Sequence, residues 1–263
     1  MSTIFYTFTS WKDTTLLSSC SQLVAQIIIK MAAVIPKAQK VEIPSENAKG
    51  LLSAYHFNDP KTHAIGVIIL QEWWGVNQQI QDEAADIARR GEFSVICPDL
   101  YRGSLATDNE HAGHLMTNLD WPGAIKDIQA CAKFLLSKGC KKVGVTGFCM
   151  GGALSMAAAA LIPEVSAAAP FYGIPSSELA DPSKIKVPIQ CHFGDKDEQA
   201  GFSCPASQAK LIEKLKEGNV VYEFHSYKDA GHAFTNTEGP NYNAEYYEQG
   251  LTRMCDFFKK HLL

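Results

Sequence analysis

Four side chains in this 263-residue sequence have the types needed for acyl transfer: Cys149, His232, an aspartate at 195 or 197, and Glu72. A cysteine attacks only as thiolate, so Cys149 needs a base, an opposite charge or a helix N-terminus beside it. Imidazole exchanges protons near neutral pH, which suits His232. A carboxylate on the far ring nitrogen would hold the imidazole and stabilise its protonated form. Cys149 sits in V-G-V-T-G-F-C-M-G-G-A-L, residues 143–154. An apolar run, a sharp turn and small residues opening a helix make a nucleophile elbow, with cysteine where serine is usual. Gly147 and Gly151 stand two before and two after it. A Cβ at either place is expected to collide with neighbouring backbone, and strained dihedrals there would also suit glycine. The turn would bring the Met150 N–H to a helix N-terminus beside the sulfur, where an anion is stabilised. A buried structural cysteine in a glycine-rich turn is the competing reading of the same spacing.

The elements needed to position these groups are legible. Ala64–Leu70 is a continuous apolar run, as in a strand buried on both faces, and it delivers Glu72 beside Trp73 and Trp74. A carboxyl so placed should be desolvated and its pKa raised. Asn77 is expected to cap a helix with Ile80, Ala84, Ile87 and Ala88 on one face and Gly91 past its end. Phe93–Cys97 is the next strand, and 100–120 is expected to be a long irregular connection. Pro122 opens a helix stopped by Gly139. Strands follow at Val165–Phe171, Val187–Phe193 and Val220–His225, with helices over Pro205–Glu217 and Asn243–His261. A hairpin or two edge strands are expected between Lys40 and Phe57. This alternation predicts an α/β fold: a mostly parallel central sheet with helices on both faces, a three-layer sandwich. In such sheets the site lies beyond the carboxyl ends of the strands, and Glu72, Cys149, Asp197 and His232 all follow strands.

Composition bounds the remainder. With 46% hydrophobic and 20% charged residues, the chain suits one large globular domain, expected over 36–263. A net charge of −4 gives no footprint for nucleic acid or an acidic membrane surface. The eight cysteines form no C-x-x-C pair, which fits a reducing, cytoplasmic setting. His111 and His114 are three apart, but no third ligand accompanies them, and no metal or other cofactor is expected. Residues 1–35 are Ser/Thr-rich with Asp13 as the one acid. They read as a flexible extension or a weak organellar targeting segment, with Met31 an alternative start, and their apolar run is too short to span a bilayer.

Taken together, Q-E-W-W-G-V-N at 71–77, P-D-L-Y at 98–101, G-F-C-M-G-G-A-L at 147–154, F-Y-G at 171–173, G-D-K-D at 194–197 and A-G-H-A-F at 230–234 resemble the dienelactone hydrolase (carboxymethylenebutenolidase) family. The resemblance runs from about Lys40 onward. It implies an α/β-hydrolase fold and hydrolysis of a small ester or lactone by a Cys149–His232–Asp197 triad. It also favours Asp197 over Asp195, which becomes a turn residue. Glu72 would pair with the resting thiol and take its proton when substrate displaces it. The backbone N–H groups of Met150 and Trp73 would form the oxyanion hole. The family's type substrate carries a carboxylate gripped by two arginines. Arg102 lies close to the first position, one residue early, and the second position is Asn236, so one charge of the clamp is missing. Trp74, Tyr172 and Phe234 are further candidates to line the substrate site, each of which could equally be core. The expected molecule is a monomer or weak homodimer acting on a small molecule. A ligand-binding or sensing protein with little turnover, or thiol redox chemistry at Cys149, are the other readings.

Overall fold

A computed structural model describes residues 35–58 and 61–263, of which Pro36–Leu263 forms one compact unit. Apart from Ile35, the extension expected over 1–35 lies outside the described residues. Eight strands form one sheet: β1 (Gln39–Ile43), β2 (Leu52–Phe57), β3 (Ile65–Leu70), β4 (Ser94–Pro98), β5 (Lys142–Phe148), β6 (Val165–Phe171), β7 (Ile189–Gly194) and β8 (Tyr222–Tyr227). Their spatial order is β1-β2-β4-β3-β5-β6-β7-β8. β2 pairs antiparallel with both β1 and β4, and every other pairing is parallel. The helices are α1 (Gln78–Gly91), α2 (Asn109–Thr117), α3 (Trp121–Lys138), α4 (Met150–Leu161), α5 (Pro205–Glu217) and α6 (Ala244–Leu262).

Handedness explains the layers. Going from β3 to β4 the chain steps one way along the sheet, and from β4 to β5, β6, β7 and β8 it steps the other way. Right-handed crossovers therefore send α1 to one face and α3, α4 and α5 to the opposite face. α6 returns to pack on α1, while α3 packs on α4. This is the α/β-hydrolase arrangement. The reversal makes a crevice between the carboxyl ends of β3 and β5, since the chain leaves those two strands toward opposite faces. Register aligns Leu70 with Gly147 and Gly147 with Pro170, so the residues just beyond them meet at one edge.

Local chemistry accounts for the ends, including those where the structure departs from sequence-based expectation. The Asn77 side chain accepts the Ile80 N–H, as expected of the cap of α1. Gly91, however, is the last residue of α1, and the left-handed C-cap is Glu92, with φ 56°. A Cβ on Gly91 would lie 2.0 Å from the Phe93 ring, so glycine is there to seat that ring rather than to turn the chain. The connection over 100–120 is not irregular throughout: it contains α2, whose first turn is capped by Asp108 accepting from His111 N–H. Strand β8 begins at Tyr222 rather than Val220, because the Val220 N–H still donates to Leu215 O at the end of α5. Among the described residues, no helix is long and apolar enough to cross a membrane.

Candidate active site

Strand β5 ends at Phe148 and α4 begins at Met150, so Cys149 alone makes the turn, with φ 54° and ψ −114°. A non-glycine residue there is strained by about 1–3 kcal/mol and must be held by its surroundings. Its N–H donates to Phe171 O at 3.2 Å, and its carbonyl accepts from Ala153 N–H at 3.1 Å. Gly147 and Gly151 do not carry the strain, since neither has positive φ. Close approach is their reason: a Cβ on Gly147 would lie 2.3 Å from Gly151 O, and one on Gly151 would lie 2.3 Å from Leu70 O. The second contact clamps the elbow against the end of β3, where Glu72 and Trp73 begin. The Met150 N–H, in the first turn of α4, has no carbonyl one turn back to bond.

His232 arrives on the loop after β8, and that loop is tied to the one after β7. Asp195 N–H donates to Tyr227 O at 3.0 Å, and Lys196 N–H to Ala230 O at 2.9 Å. Asp195 Oδ1 accepts the Asp229 N–H at 2.6 Å, which makes it a turn residue. Asp197 faces the histidine: its Oδ2 accepts from His232 Nδ1 at 2.8 Å and its Oδ1 from Gln199 N–H at 2.9 Å. Ser203 Oγ lies 3.2 Å from the same ring nitrogen. With Nδ1 so engaged, Nε2 is the ring nitrogen left to serve Cys149, which lines the same cavity. Burial pulls the imidazolium down, but the hydrogen bonds to Asp197 and Cys149 and the charges of both outweigh it, and the ring is pushed up to about 10.

Glu72 is buried, and both its oxygens are occupied. Tyr172 OH donates to Oε1 at 3.1 Å and Asn236 Nδ2 to Oε2 at 2.6 Å. Burial raises its carboxyl, and the bond from Asn236, the charge of His232 and the bond from Tyr172 offset part of that. Cys149, His232, Glu72, Trp73 and Trp74 line one cavity of about 430 Å³, a volume that suits a small ligand. Among the described residues, no lysine or arginine lines it.

Three residues expected to line the substrate site have other duties. Arg102 lies 2.9 Å from Asp127, which is 1% exposed, and is turned to that partner by its own left-handed backbone, φ 57°. Tyr172 and Phe234 are fully buried and pack edge-on at 5.3 Å, so they form the wall behind the cavity rather than its surface. Trp74 does line it. His111 and His114 fall on α2, and among the described residues no group of three His, Cys, Asp or Glu side chains could hold a metal ion.

Comparisons with known proteins place the chain in a family. The family model described as the dienelactone hydrolase family matches residues 52–262, well over half of the chain. This chain belongs to the dienelactone hydrolase family. It is 34% identical over 217 residues to the protein usf of Aquifex pyrophilus, covering 77% of this chain and 91% of that one. It is 29% identical over 211 residues to the carboxymethylenebutenolidase of Pseudomonas putida, covering 75% and 86%. Among solved structures, a Klebsiella pneumoniae protein assigned to the dienelactone hydrolases superposes with a TM-score of 0.73 at 26% identity, covering 85% of this chain and 98% of that one.

Sequence reasoning missed several members of the site of this family member. Glu83 is buried on α1, with Gln79 Nε2 donating to its Oε2 at 3.0 Å. Burial, then the charge of Glu72, hold its carboxyl well above the usual range. Its signal was available: it lies three residues after Ile80 on the apolar stripe, where a lone acid is costly. Thr235 Oγ1 sits 2.7 Å from Tyr172 OH and extends the same polar chain. Ser203 is a small polar residue in a connection, and nothing in the sequence singles it out.

Proposed function

We propose that this chain hydrolyses small carboxylic esters or lactones that need not carry a free carboxylate, using Cys149 as nucleophile. The observation that carries this reading is that His232, with Nδ1 2.8 Å from the Asp197 carboxylate, lines one cavity of small-molecule size together with Cys149. The proton already rests on His232, whose ring is pushed up to about 10, and the Cys149 thiolate attacks the carbonyl carbon. The oxygen of the tetrahedral intermediate is stabilised by the N–H groups of Met150 and Trp73, which need not reorganise as the charge develops. The intermediate collapses, the C–O bond breaks, and His232 passes its proton to the leaving oxygen. A water then gives a proton to His232 and attacks the thioester, releasing the acid and restoring the thiolate beside the protonated ring. Asp197 keeps the ring in the tautomer that serves the sulfur.

The cavity also bears on substrate. A carboxylate needs a charge-assisted donor, and one such bond contributes about 1.5–3 kcal/mol. Arg102 is committed to Asp127 and Asn236 to Glu72, so neither offers the grip known from the family's type substrate. Replacing Cys149 by alanine should reduce hydrolysis of p-nitrophenyl acetate at least about 10³-fold while circular dichroism stays unchanged. Retention of wild-type turnover in that variant would refute the assignment. A burst of one product equivalent without further turnover in the wild type would favour a binding or sensing role.

A further inference from the structure

The catalytic cavity shares two of its walls with a second, larger one. Met116, near the end of α2, and Phe202, in the loop before α5, each face both. Phe202 also stands 6.1 Å, ring centre to ring centre, from His232. The second cavity is a groove of about 770 Å³ whose walls include Trp121 and Ile125 from α3, Ala153 and Leu161 from α4, and Ile174 after β6. Ala153 and Leu161 are eight residues apart on one helix, so the groove follows α4 away from Cys149 for about 12 Å. Its charged members, Lys126 and Glu178, are exposed at the rim, and Leu161 is itself 48% exposed at the far end. A largely apolar trough of this size, sharing two walls with the cavity that holds Cys149, is the kind of surface that marks a ligand groove.

We infer that this groove receives an extended apolar limb of the substrate, so that the enzyme's preferred substrates are esters with a medium-length aliphatic or an aryl-alkyl group. The inference rests on the ester-hydrolase reading above and adds the substrate class to it. The shared walls are what join the two spaces: a group bonded to the carbonyl held at Cys149 passes between Met116 and Phe202 into the trough. Each methylene withdrawn from water there should raise kcat/KM by about fourfold until the groove is filled.

The test uses the full chain and two series of esters, p-nitrophenyl esters from acetate to dodecanoate and acetates of alcohols of increasing length. The expected result is a rise in kcat/KM along at least one series, by about 30-fold or more from the two-carbon member to its maximum. Leu161→Glu places a charge at the exposed end of the groove, and Ile125→Trp fills its middle. Each should lower the ratio of long-chain to two-carbon kcat/KM by at least about tenfold, and the two variants guard against one that misfolds. Flat profiles in both series, or ratios unchanged in both variants, would overturn the inference. If the acetate is still hydrolysed in a Cys149-dependent way, the ester-hydrolase reading survives that outcome. If Cys149→Ala retains full activity, that reading fails instead.

Discussion

His232 is held by two groups that both favour its protonated form, and this has a measurable consequence. An unfolded imidazole titrates near 6.5, whereas the folded ring is pushed up to about 10. The native state therefore binds this proton more tightly than the unfolded chain does. Its stabilisation is fully present below about pH 6.5 and is lost as pH rises through about 10. An NMR titration of the His232 ring should find a midpoint well above that of free histidine, moving down in Asp197→Asn. A midpoint unmoved by that substitution would remove Asp197 from the role given to it. The same substitution should lower kcat on the order of 10³-fold, because the ring then loses the tautomer that serves the sulfur. Glu72 shows what a sequence reading can and cannot supply at this scale. Its burial and raised carboxyl follow from its place at the end of an apolar strand. Its engagement by Tyr172 and Asn236, 100 and 164 residues away, does not.

At the scale of elements, the elbow works by contact between backbones. A methyl group on Gly151 would meet Leu70 O at 2.3 Å and Gln71 O at 2.6 Å, so the end of β3 would have to move. Glu72 and Trp73 follow directly, and the shift reaches both the carboxylate and one donor of the proposed oxyanion hole. Gly151→Ala should cost about 1–3 kcal/mol of stability, read as a lower urea midpoint, and depress kcat in the folded protein. Gly113, in α2, has open space where its Cβ would stand, and Gly113→Ala should instead stabilise by about 0.5–1 kcal/mol. If both alanines behaved alike, close approach would not be the reason for Gly151. Helices with capping signals were legible because caps are local: Asn77 and the Pro122–Gly139 pair mark ends that the chain obeys. The cap of α2 at Asp108 lay in a polar stretch with a weak apolar stripe, and periodicity did not raise it above its surroundings. Only one residue of that helix, Ala112, is buried.

Across the whole molecule, Arg102 joins distant parts rather than gripping a ligand. Asp127 on α3 is 1% exposed and takes donors from Arg102, Ser45 and Asn47, which bind the loop after β4 and the turn after β1 to that helix. Removing the guanidinium leaves a buried carboxylate with two neutral donors. Arg102→Ala should therefore destabilise by about 2 kcal/mol, lowering Tm, while KM for an uncharged ester changes little. A large rise in KM with Tm unchanged would restore Arg102 to the substrate site. Asp127 stands on the apolar side of a helix far from Arg102 in function as the sequence presents it. The motif position beside P-D-L-Y suggested a ligand, and the true partner is 25 residues further on, across a loop that the sequence does not orient.

By itself the sequence determined the alternation of strands and helices, the sharp turn at Cys149 and the strand ends that carry Glu72, Asp197 and His232. Periodicity, caps and small residues act over a few neighbours, so they can be read without the fold. What occupies both oxygens of Glu72, where Arg102 turns and what adjoins the Cys149 thiol were decided only when the sheet brought its strand ends together. Those are contacts between side chains far apart in the chain, and their geometry is set by packing, which no local pattern encodes.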